Sequence, residues 1–302
     1  MEIERLSGQL PALAGILALL LFVLASTEAK AGDLAPPDTL DGWTVQWIAA
    51  LNGTQAAYSN WSKGGVNSLS AVGSSRLTSH YRSGEFSYSM QLHTRYGESR
   101  LQDEGVRKTD DRISLRNRFL YDLGDEAVDF SVYSNINFES QFGRGFRYGE
   151  GPEGEDILIS DFLAPAYMTQ NVGVAYIPTE AFSVEAGLGL KQTFVRDTAL
   201  SKRYGLDPGE RFFNEAGFTF GINVDTEIME NVRYTGYLET FTNLNRPLRR
   251  TDLLISNQLV GRINNYLQMT LQFEMIYDDD FSERLQVSQV LSAGLTVNLV
   301  SR

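Results

Sequence analysis

The residues of this chain whose chemical character and regular spacing point to a function are charged side chains at alternate positions of short segments. Alternate residues of a β-strand share one face, so these side chains are predicted on one side of a sheet. The basic members come from earlier segments and the carboxylates from later ones. A basic wall opposite an acidic wall can select passing ions or close into salt bridges. If the sheet closes on itself, its interior is a polar lumen. We predict that this lumen is lined by Arg76, His93, Arg95, Arg116, Arg118, Asp129, Glu139, Glu185, Glu239 and Glu274.

The two histidines offer a second kind of chemistry. His80 and His93 are predicted on the lumenal faces of neighbouring strands. A lipid-cleaving enzyme would require a histidine beside a serine nucleophile and an orienting polar group. The sequence contains no H-x-x-H, E-x-x-H or G-x-S-x-G pattern. We expect no catalytic site and no cofactor. An enzyme that acts on envelope lipid ranks third among the functions considered, after a pore and a structural or interaction barrel.

A run of carboxylates near the end of the chain could hold a cation. Asp278, Asp279 and Asp280 supply the oxygen ligands that Ca²⁺ prefers, and they could also bridge lipopolysaccharide through divalent cations. The run lacks the spaced ligands of a calcium loop and a glycine at its turn. A solvated hairpin loop is the favoured interpretation, and no metal site is predicted.

The first predicted loop carries an aromatic residue next to a pair of glycines. Trp61 precedes Gly64 and Gly65, which allow a positive φ. These three residues could capture a ligand. The favoured interpretation is that the loop folds down and plugs the barrel mouth.

Twelve predicted strands position these side chains. Alternation of apolar and polar residues is clearest at 86–96, 128–142, 267–277 and 287–299. Each segment reaches the ~9–11 residues with which a tilted strand crosses a membrane, and an even number of strands places both termini on the periplasmic side. The weaker members are 43–58, 68–81, 112–122, 167–177, 182–194, 212–226, 232–241 and 252–262.

The connections alternate between short and long. Such alternation is typical of an up-and-down transmembrane antiparallel β-barrel, with short periplasmic turns and long outward loops. The short turns are predicted at 82–85, 123–126, 178–181, 229–231 and 263–265. The long loops are predicted at 59–67, 97–110, 143–165, 195–211, 242–251 and 278–284.

A soluble β-sandwich would also alternate, so the position of the aromatic residues separates the two folds. In a sandwich the apolar faces meet in a shared core. Here the apolar faces carry aromatic residues near both strand ends, which favours a barrel with a girdle at each membrane interface. One predicted girdle contains Phe86, Tyr121, Phe130, Tyr176, Phe182, Tyr234 and Tyr266, and the other contains Tyr96, Phe142, Tyr167, Phe194, Phe212 and Tyr277.

The N-terminus and the composition indicate an exported protein. Residues 12–26 are apolar, and the Ala-Lys-Ala sequence at 29–31 resembles a signal peptidase site. We expect Sec-type export and cleavage of residues 1–31, which leaves one barrel domain at 32–302. The alternative is an uncleaved helical anchor. The net charge of −12 argues against nucleic acid as a partner.

Several stretches also resemble a known family. The segment YSNWSKGGVNSLS at 58–70 contains an SNW-x-x-GG-x-N-S opening, and further similar stretches follow in order along the chain: KTDDRISL (108–115), ISDFLAPAY (159–167), KQTFVRD (191–197), YGLDPG (204–209) and MIYDDD (275–280). The chain resembles a family of uncharacterised outer-membrane β-barrels, a domain of unknown function known mainly from Bacteroidetes-type bacteria. The resemblance implies an outer-membrane barrel and no established activity.

These observations favour a barrel in the outer membrane of a Gram-negative-type bacterium that acts as a narrow pore or small-solute transporter. The alternative is a structural or interaction barrel whose outward loops bind a partner. The expected partners are outer-membrane lipid, lipopolysaccharide, the outer-membrane assembly machinery and a small solute. One departure concerns assembly, because the last residue is Arg302 rather than the aromatic residue that the assembly machinery usually reads.

Overall fold

The fold is built almost entirely from β-strands. The computed structural model describes residues 40–56, 67–101, 105–124, 129–245, 251–278 and 282–301. The strands of these segments are β1 Gly42–Ala56, β2 Ser68–Ser83, β3 Phe86–Leu101, β4 Gly105–Asp122, β5 Phe130–Ser140, β6 Gly145–Arg147, β7 Ile157–Ser160, β8 Ala166–Thr179, β9 Phe182–Phe194, β10 Phe212–Met229, β11 Val232–Asn243, β12 Asp252–Arg262, β13 Leu267–Asp278 and β14 Ser282–Ser301.

Twelve of the described strands form a closed antiparallel barrel. Strands that follow each other in sequence pair, except that β5 pairs with β8, because β6 and β7 form a separate hairpin. The first and last strands, β1 and β14, pair and close the sheet. Closure matters because lipid offers no hydrogen bonds to a free sheet edge. The predicted all-β barrel of twelve strands is confirmed.

The predicted long loop at 97–110 is wrong. β3 continues to Leu101 and β4 begins at Gly105, so the two strands pair well beyond the predicted end. A register shift after Gly97 lets this pairing continue, with Glu98 opposite Lys108. Polar residues there resemble a loop in sequence because a strand that extends beyond the hydrocarbon has water on its outer face.

The predicted loop at 278–284 is also shorter than expected. β13 ends at Asp278 and β14 begins at Ser282. Asp278 is therefore a strand residue rather than the first residue of a solvated loop. Its carboxylate accepts a hydrogen bond from Lys191 Nζ at 2.7 Å, and this contact supplies the physical reason for its inward position.

Two loops at the same end of the barrel pack together into a small apolar core. The connection after β9 contains a 3-10 helix, Thr198–Tyr204, which the sequence analysis did not predict. Leu200 and Leu206 pack against Ala164 and Val195, and all four side chains are buried. Tyr204 donates a hydrogen bond to the carbonyl of Ile159 in β7 at 2.6 Å. The β6–β7 hairpin and the helix thus form one cap on the rim of the barrel.

The outer face of the barrel is apolar. Leu188, Phe218, Leu271 and Leu291 are examples of large side chains that remain exposed on it. Lipid is the solvent that such a surface requires, so the barrel is transmembrane. Among the described residues no helix is long and apolar enough to cross a membrane.

Exposed aromatic residues cluster near both ends of the outer face, as amphipathic rings do at the two membrane interfaces. The group at the short-turn end comprises Trp43, Phe86, Tyr121, Phe130, Tyr176 and Tyr266. The group at the other end comprises Tyr96, Phe142 and Phe212. The prediction that Tyr167 belongs to this girdle is wrong, because Tyr167 shares the inward face of β8 with Thr169 and Asn171.

Tyr234 does not belong to the exposed girdle in which it was predicted. Its ring is buried against Val224, and its hydroxyl donates a hydrogen bond to Asn257 Oδ1 at 2.5 Å. A Cβ atom at Gly236 would lie 2.5 Å from the Tyr234 hydroxyl, so a glycine is required there for the ring to lie flat on the barrel wall.

Some predictions fall outside the described residues. They include the signal peptide at 1–31, the loop residues Trp61, Gly64 and Gly65, and two of the aspartates in the predicted cation site, Asp279 and Asp280.

We predict opposite tolerance on the two faces of β13. Leu271 is exposed on the outer face, and Thr270 next to it points into the lumen. Leu271→Arg should lower the free energy of unfolding by ~2–4 kcal/mol, because a guanidinium near the bilayer midplane must leave water. Thr270→Arg is the matched control and should cost much less, since its charge can reach lumenal water. Urea unfolding in lipid vesicles measures both, and equal costs would contradict the assigned faces.

Candidate functional site: a charged lumen braced across its width

The lumen is the candidate site because the strands direct most of the predicted charged residues into it. Arg76 on β2, Arg116 and Arg118 on β4 and His93 on β3 line a cavity together with Glu139, Glu185 and Glu239. Arg95 lies on the lumenal face of β3, which it shares with His93, and Glu274 lies on the lumenal face of β13. Asp129 is different, because it is exposed just before β5 at the short-turn end and lines neither cavity of the lumen.

Arg112 forms one brace across the lumen. Its Nη2 lies 3.0 and 3.2 Å from the two carboxylate oxygens of Glu274, and its Nε lies 3.4 Å from Glu139 Oε1. Glu139 is on the neighbouring strand β5, whereas Glu274 is on β13, five positions away around the twelve-strand ring. One guanidinium therefore ties almost opposite walls together, as the planar fork of arginine allows.

Arg116, four residues after Arg112 on β4, forms a second brace. Its Nη2 donates a hydrogen bond to the Tyr237 hydroxyl at 2.8 Å, and its guanidinium carbon lies 4.6 Å from the centre of the Tyr237 ring. Tyr237 is on β11, again five positions away from β4. Within the described part of the chain, no carboxylate lies within salt-bridge distance of Arg116, so its charge remains available to a passing ion.

The third residue of this row on β4, Arg118, forms a buried ion pair with Glu185 of β9. The Glu185 carboxylate also accepts hydrogen bonds from Asn135 Nδ2 at 3.2 Å and from Asn223 Nδ2 at 3.4 Å. These contacts lie in the half of the lumen nearer the short turns.

Two further arginines reach neutral side chains across the lumen. Arg76 donates to Gln258 Oε1 at 3.5 Å, and Arg95 donates to Gln272 Oε1 at 2.6 Å. Arg95 also pairs with Asp110 on the neighbouring strand. The basic strands β2 to β4 thus face β11 to β13. Among the predicted lumenal residues in the described segments, the direct contact between a basic and an acidic member is the one between Arg118 and Glu185 on β9.

Lys191 is the brace at the loop end of the lumen. Its Nζ lies 2.7 Å from Asp252 Oδ2 and 2.7 Å from Asp278 Oδ2. All three side chains are mostly buried, and the two carboxylates belong to the adjacent strands β12 and β13. One ammonium between two carboxylates leaves a net negative charge, which makes this end of the lumen acidic.

The braces divide the lumen into two cavities. The inner cavity, nearer the short turns, has a volume of about 230 Å³, and the outer cavity, under the loops, has a volume of about 290 Å³. Both cavities are lined by the same six residues, and these mark the constriction between them: Ser114, Arg116, Asn137, Glu139, Asn171 and Glu239.

The histidines line the inner cavity. His80 Nδ1 lies 2.9 Å from Ser89 Oγ, so the structure does bring a histidine beside a serine. Both side chains are on the lumenal face, away from lipid. His93 lies among Arg76, Arg95, Arg112 and Arg116. No group of three or more His, Cys, Asp or Glu side chains in the described segments could hold a metal ion.

Three lumenal residues that brace the walls were not predicted from the sequence: Arg112, Lys191 and Tyr237. Arg112 shares the alternation of Arg116, but it is the first residue of the predicted strand at 112–122, and the inward orientation of a first strand residue is the hardest to predict. Lys191 lies on the same face of β9 as Glu185, and Tyr237 lies on the same face of β11 as Glu239. The alternation of each strand therefore also predicts these two inward positions. For Tyr237 alternation alone is not decisive, because aromatic side chains are also common on the lipid face of barrel strands.

We predict that the Arg118–Glu185 pair stabilises the barrel and that a surface pair does not. Glu185→Gln should lower the free energy of unfolding by about 1–3 kcal/mol, because it leaves the Arg118 charge without its carboxylate. The double variant with Arg118→Gln should recover part of the loss. Glu150→Gln is the control, since the Arg147–Glu150 pair is largely exposed and should contribute less than ~1 kcal/mol. Urea unfolding of the four proteins tests this, and equal losses at positions 185 and 150 would contradict it.

Comparison with known proteins gives a family match and several barrels of similar fold. A family model described as a protein of unknown function, DUF3078, matches residues 54–146, which is less than half of the chain. These residues run from the end of β1 into β6 and include the row of arginines on β4. A search of curated protein sequences found no match.

Solved outer-membrane barrels resemble the chain over most of its length. The translocator domain of the autotransporter NalP from Neisseria meningitidis is 15% identical, with 86% of this chain and 89% of that chain covered and a TM-score of 0.37. The COG4313 outer membrane channel from Pseudomonas putida F1 is 12% identical, with 89% and 98% covered and a TM-score of 0.41. The NanC porin is 6% identical, with 83% and 98% covered and a TM-score of 0.39. Because these scores are low, the function must be argued from the lumen itself.

Proposed function

We propose that this protein is a narrow outer-membrane pore that passes ions and small hydrophilic solutes. The observation that carries the proposal is the pair of adjoining lumenal cavities, one at each end of the same constriction. A barrel that served only as a scaffold could fill its interior with apolar side chains, as small barrels can. This lumen is lined instead by groups that hydrogen-bond water.

The composition of the inner cavity supports a hydrated lumen. Its wall contains hydroxyl, amide and guanidinium groups such as those of Ser114, Asn135, Asn171 and Arg118. Polar groups that leave bulk water are stable when they form hydrogen bonds with protein or with water. A water-filled inner cavity provides such partners for the groups that face it.

The constriction carries charges of both signs. Arg116, Glu139 and Glu239 all face the junction of the two cavities. Within a low-dielectric wall a single charge acts on a nearby ion more strongly than in bulk water. The proposed pore therefore selects ions by the balance between Arg116 and the two carboxylates.

The second candidate function is a structural or interaction barrel. The specific observation in its favour is the set of cross-lumen braces, since Arg112 and Arg116 narrow the lumen. In that case the capped loops would form the working surface, with lipopolysaccharide or another envelope component as partner. For either function, the apolar N-terminal run and the Ala-Lys-Ala sequence at 29–31 support Sec-type export, and the family resemblance supports an origin in a Bacteroidetes-type bacterium.

Conductance in a planar bilayer separates the two functions. The purified protein should produce discrete current steps if the lumen is open, and heat-modifiable gel mobility should show that the same sample is folded. A folded protein that stays silent in the bilayer would retire the pore and favour the structural barrel.

We predict that Tyr237→Ser increases the conductance of the pore. The substitution removes the ring that Arg116 crosses the lumen to meet, so the constriction should widen. Phe218→Ser on the neighbouring strand β10 is the control, because its ring faces lipid. Single-channel recordings measure the step size, and an unchanged step in the Tyr237 variant would show that this brace does not limit flow.

We predict that the charge at position 116 sets ion selectivity. Arg116→Ser should shift the permeability ratio toward cations by up to about tenfold, which corresponds to about 1.4 kcal/mol. Glu139→Gln should shift it toward anions, whereas Arg116→Lys keeps the charge and should change it little. Reversal potentials under a salt gradient give the ratio. A ratio that is the same in the Ser and Lys variants would place the selecting charge elsewhere.

A further inference from the structure

The outer cavity differs from the rest of the lumen because part of its wall is apolar. Phe241, Leu254 and Ile276 face it from three adjacent strands, and Tyr167 faces it from β8. Tyr204 reaches it from the 3-10 helix of the cap, which holds the ring in place through its own apolar core. Phe241 is mostly buried, whereas the other four side chains of this patch are partly exposed. Water against such apolar surface is unfavourable unless something apolar covers it.

The remaining wall of the outer cavity is acidic. Five carboxylates line it, whereas Arg116 and Lys191 are the cations among its lining residues in the described segments: Glu139, Glu239, Asp252, Glu274 and Asp278 are the acidic members. Lys191 is already held between two of these carboxylates, and Arg112 neutralises one more charge behind the wall. The cavity therefore keeps an excess of negative charge.

Glu239 is the carboxylate best placed to meet a ligand. Among the described residues no cation forms a salt bridge with it within 4 Å, and Asn171 is a neutral polar side chain that lines the same constriction. It lies at the floor of the outer cavity, on the same face of β11 as Phe241 two residues further along. A carboxylate and an aromatic ring thus stand next to each other on one wall.

We propose that the outer cavity binds organic cations that carry an apolar body, of the size of an amine attached to a single aromatic ring. The ammonium group would meet Glu239, and the apolar body would cover Phe241, Leu254, Ile276 and Tyr204. Phe241 already has Lys191 Nζ 6.0 Å from the centre of its ring, so the preference for positive charge is assigned to the carboxylates. This inference rests on the proposed pore, since it names the class of solute that the pore would take up.

The volume of the cavity limits the ligand. Pockets for small ligands usually measure ~300–1,000 Å³, and the outer cavity is at the lower end with about 290 Å³. The cavity suits one ring with a short side chain. An anion of the same shape would be repelled by the carboxylates, and a small cation without an apolar body would leave the patch uncovered.

The test is isothermal titration calorimetry of the folded, detergent-solubilised protein with 2-phenylethylammonium. We expect saturable binding, and at least about tenfold weaker binding of 2-phenylethanol, of phenylacetate and of ethylammonium, a difference of about 1.4 kcal/mol or more. Equal binding of the neutral alcohol would overturn the role of the carboxylates. Equal binding of ethylammonium would overturn the role of the apolar patch.

Variants place the ligand in the cavity. Glu239→Gln and Phe241→Leu should each weaken binding of 2-phenylethylammonium several-fold. Glu180→Gln, in a short turn at the other end, and Phe218→Leu, on the lipid face, are the matched controls and should bind like the unchanged protein. Gel mobility establishes folding, and if one lumenal variant does not fold the other decides. Unchanged binding in a folded lumenal variant would overturn the proposed site.

Calorimetry does not require an open pore, so the two proposals fail separately. Conductance without binding would overturn the ligand site and leave the pore. Binding in a protein that stays silent in the bilayer would support the site and retire the pore.

Discussion

The pairing of β1 with β14 is the interaction on which the rest of this structure depends. A membrane-spanning sheet must satisfy every backbone amide and carbonyl within itself, because the hydrocarbon provides no partner. Closing the ring satisfies the last strand edge and at the same time defines two surfaces, one for lipid and one for water. The alternation of side chains along each strand then assigns every residue to one of these surfaces.

The lumen follows from this assignment. Arg112, Arg116 and Arg118 occupy alternate positions on β4, so closure turns a single strand into a row of guanidinium groups inside the barrel. Buried charges are tolerated only when partners or water compensate their loss of hydration. Glu274, Glu185 and a hydrated cavity provide that compensation. The same contacts that stabilise the wall also narrow the passage, which makes stability and permeability opposing demands on the same side chains.

Much of the barrel could be predicted from the sequence, because alternation is a local property. The strands at 86–96 and 267–277 were found for this reason, and the inward orientation of Glu239 was assigned from the same alternation. The partners across the lumen could not be predicted. That Arg116 meets Tyr237 depends on the registers of the strands that separate them around the ring, and no short segment contains this information.

The loops resisted prediction for a related reason. The 3-10 helix has no periodic apolar face, and Leu200 is buried only because the β6–β7 region packs against it. The strand extension beyond Gly97 has a polar composition that matches a loop as well as a strand. In both regions tertiary contacts decide the structure.

The braces also impose an order on the assembly of the protein. Arg116 and Tyr237 are 121 residues apart in sequence, and Arg112 and Glu274 are 162 residues apart. A nascent or partly inserted barrel that lacks β11 to β13 has neither of these two contacts, so Arg116 and the Glu274 side of Arg112 must remain in water until those strands arrive. Arg118 can pair with Glu185 of β9 before then. The charged lumen is therefore completed late. The last strands convert an open, hydrated sheet into a closed barrel whose walls are joined across the lumen.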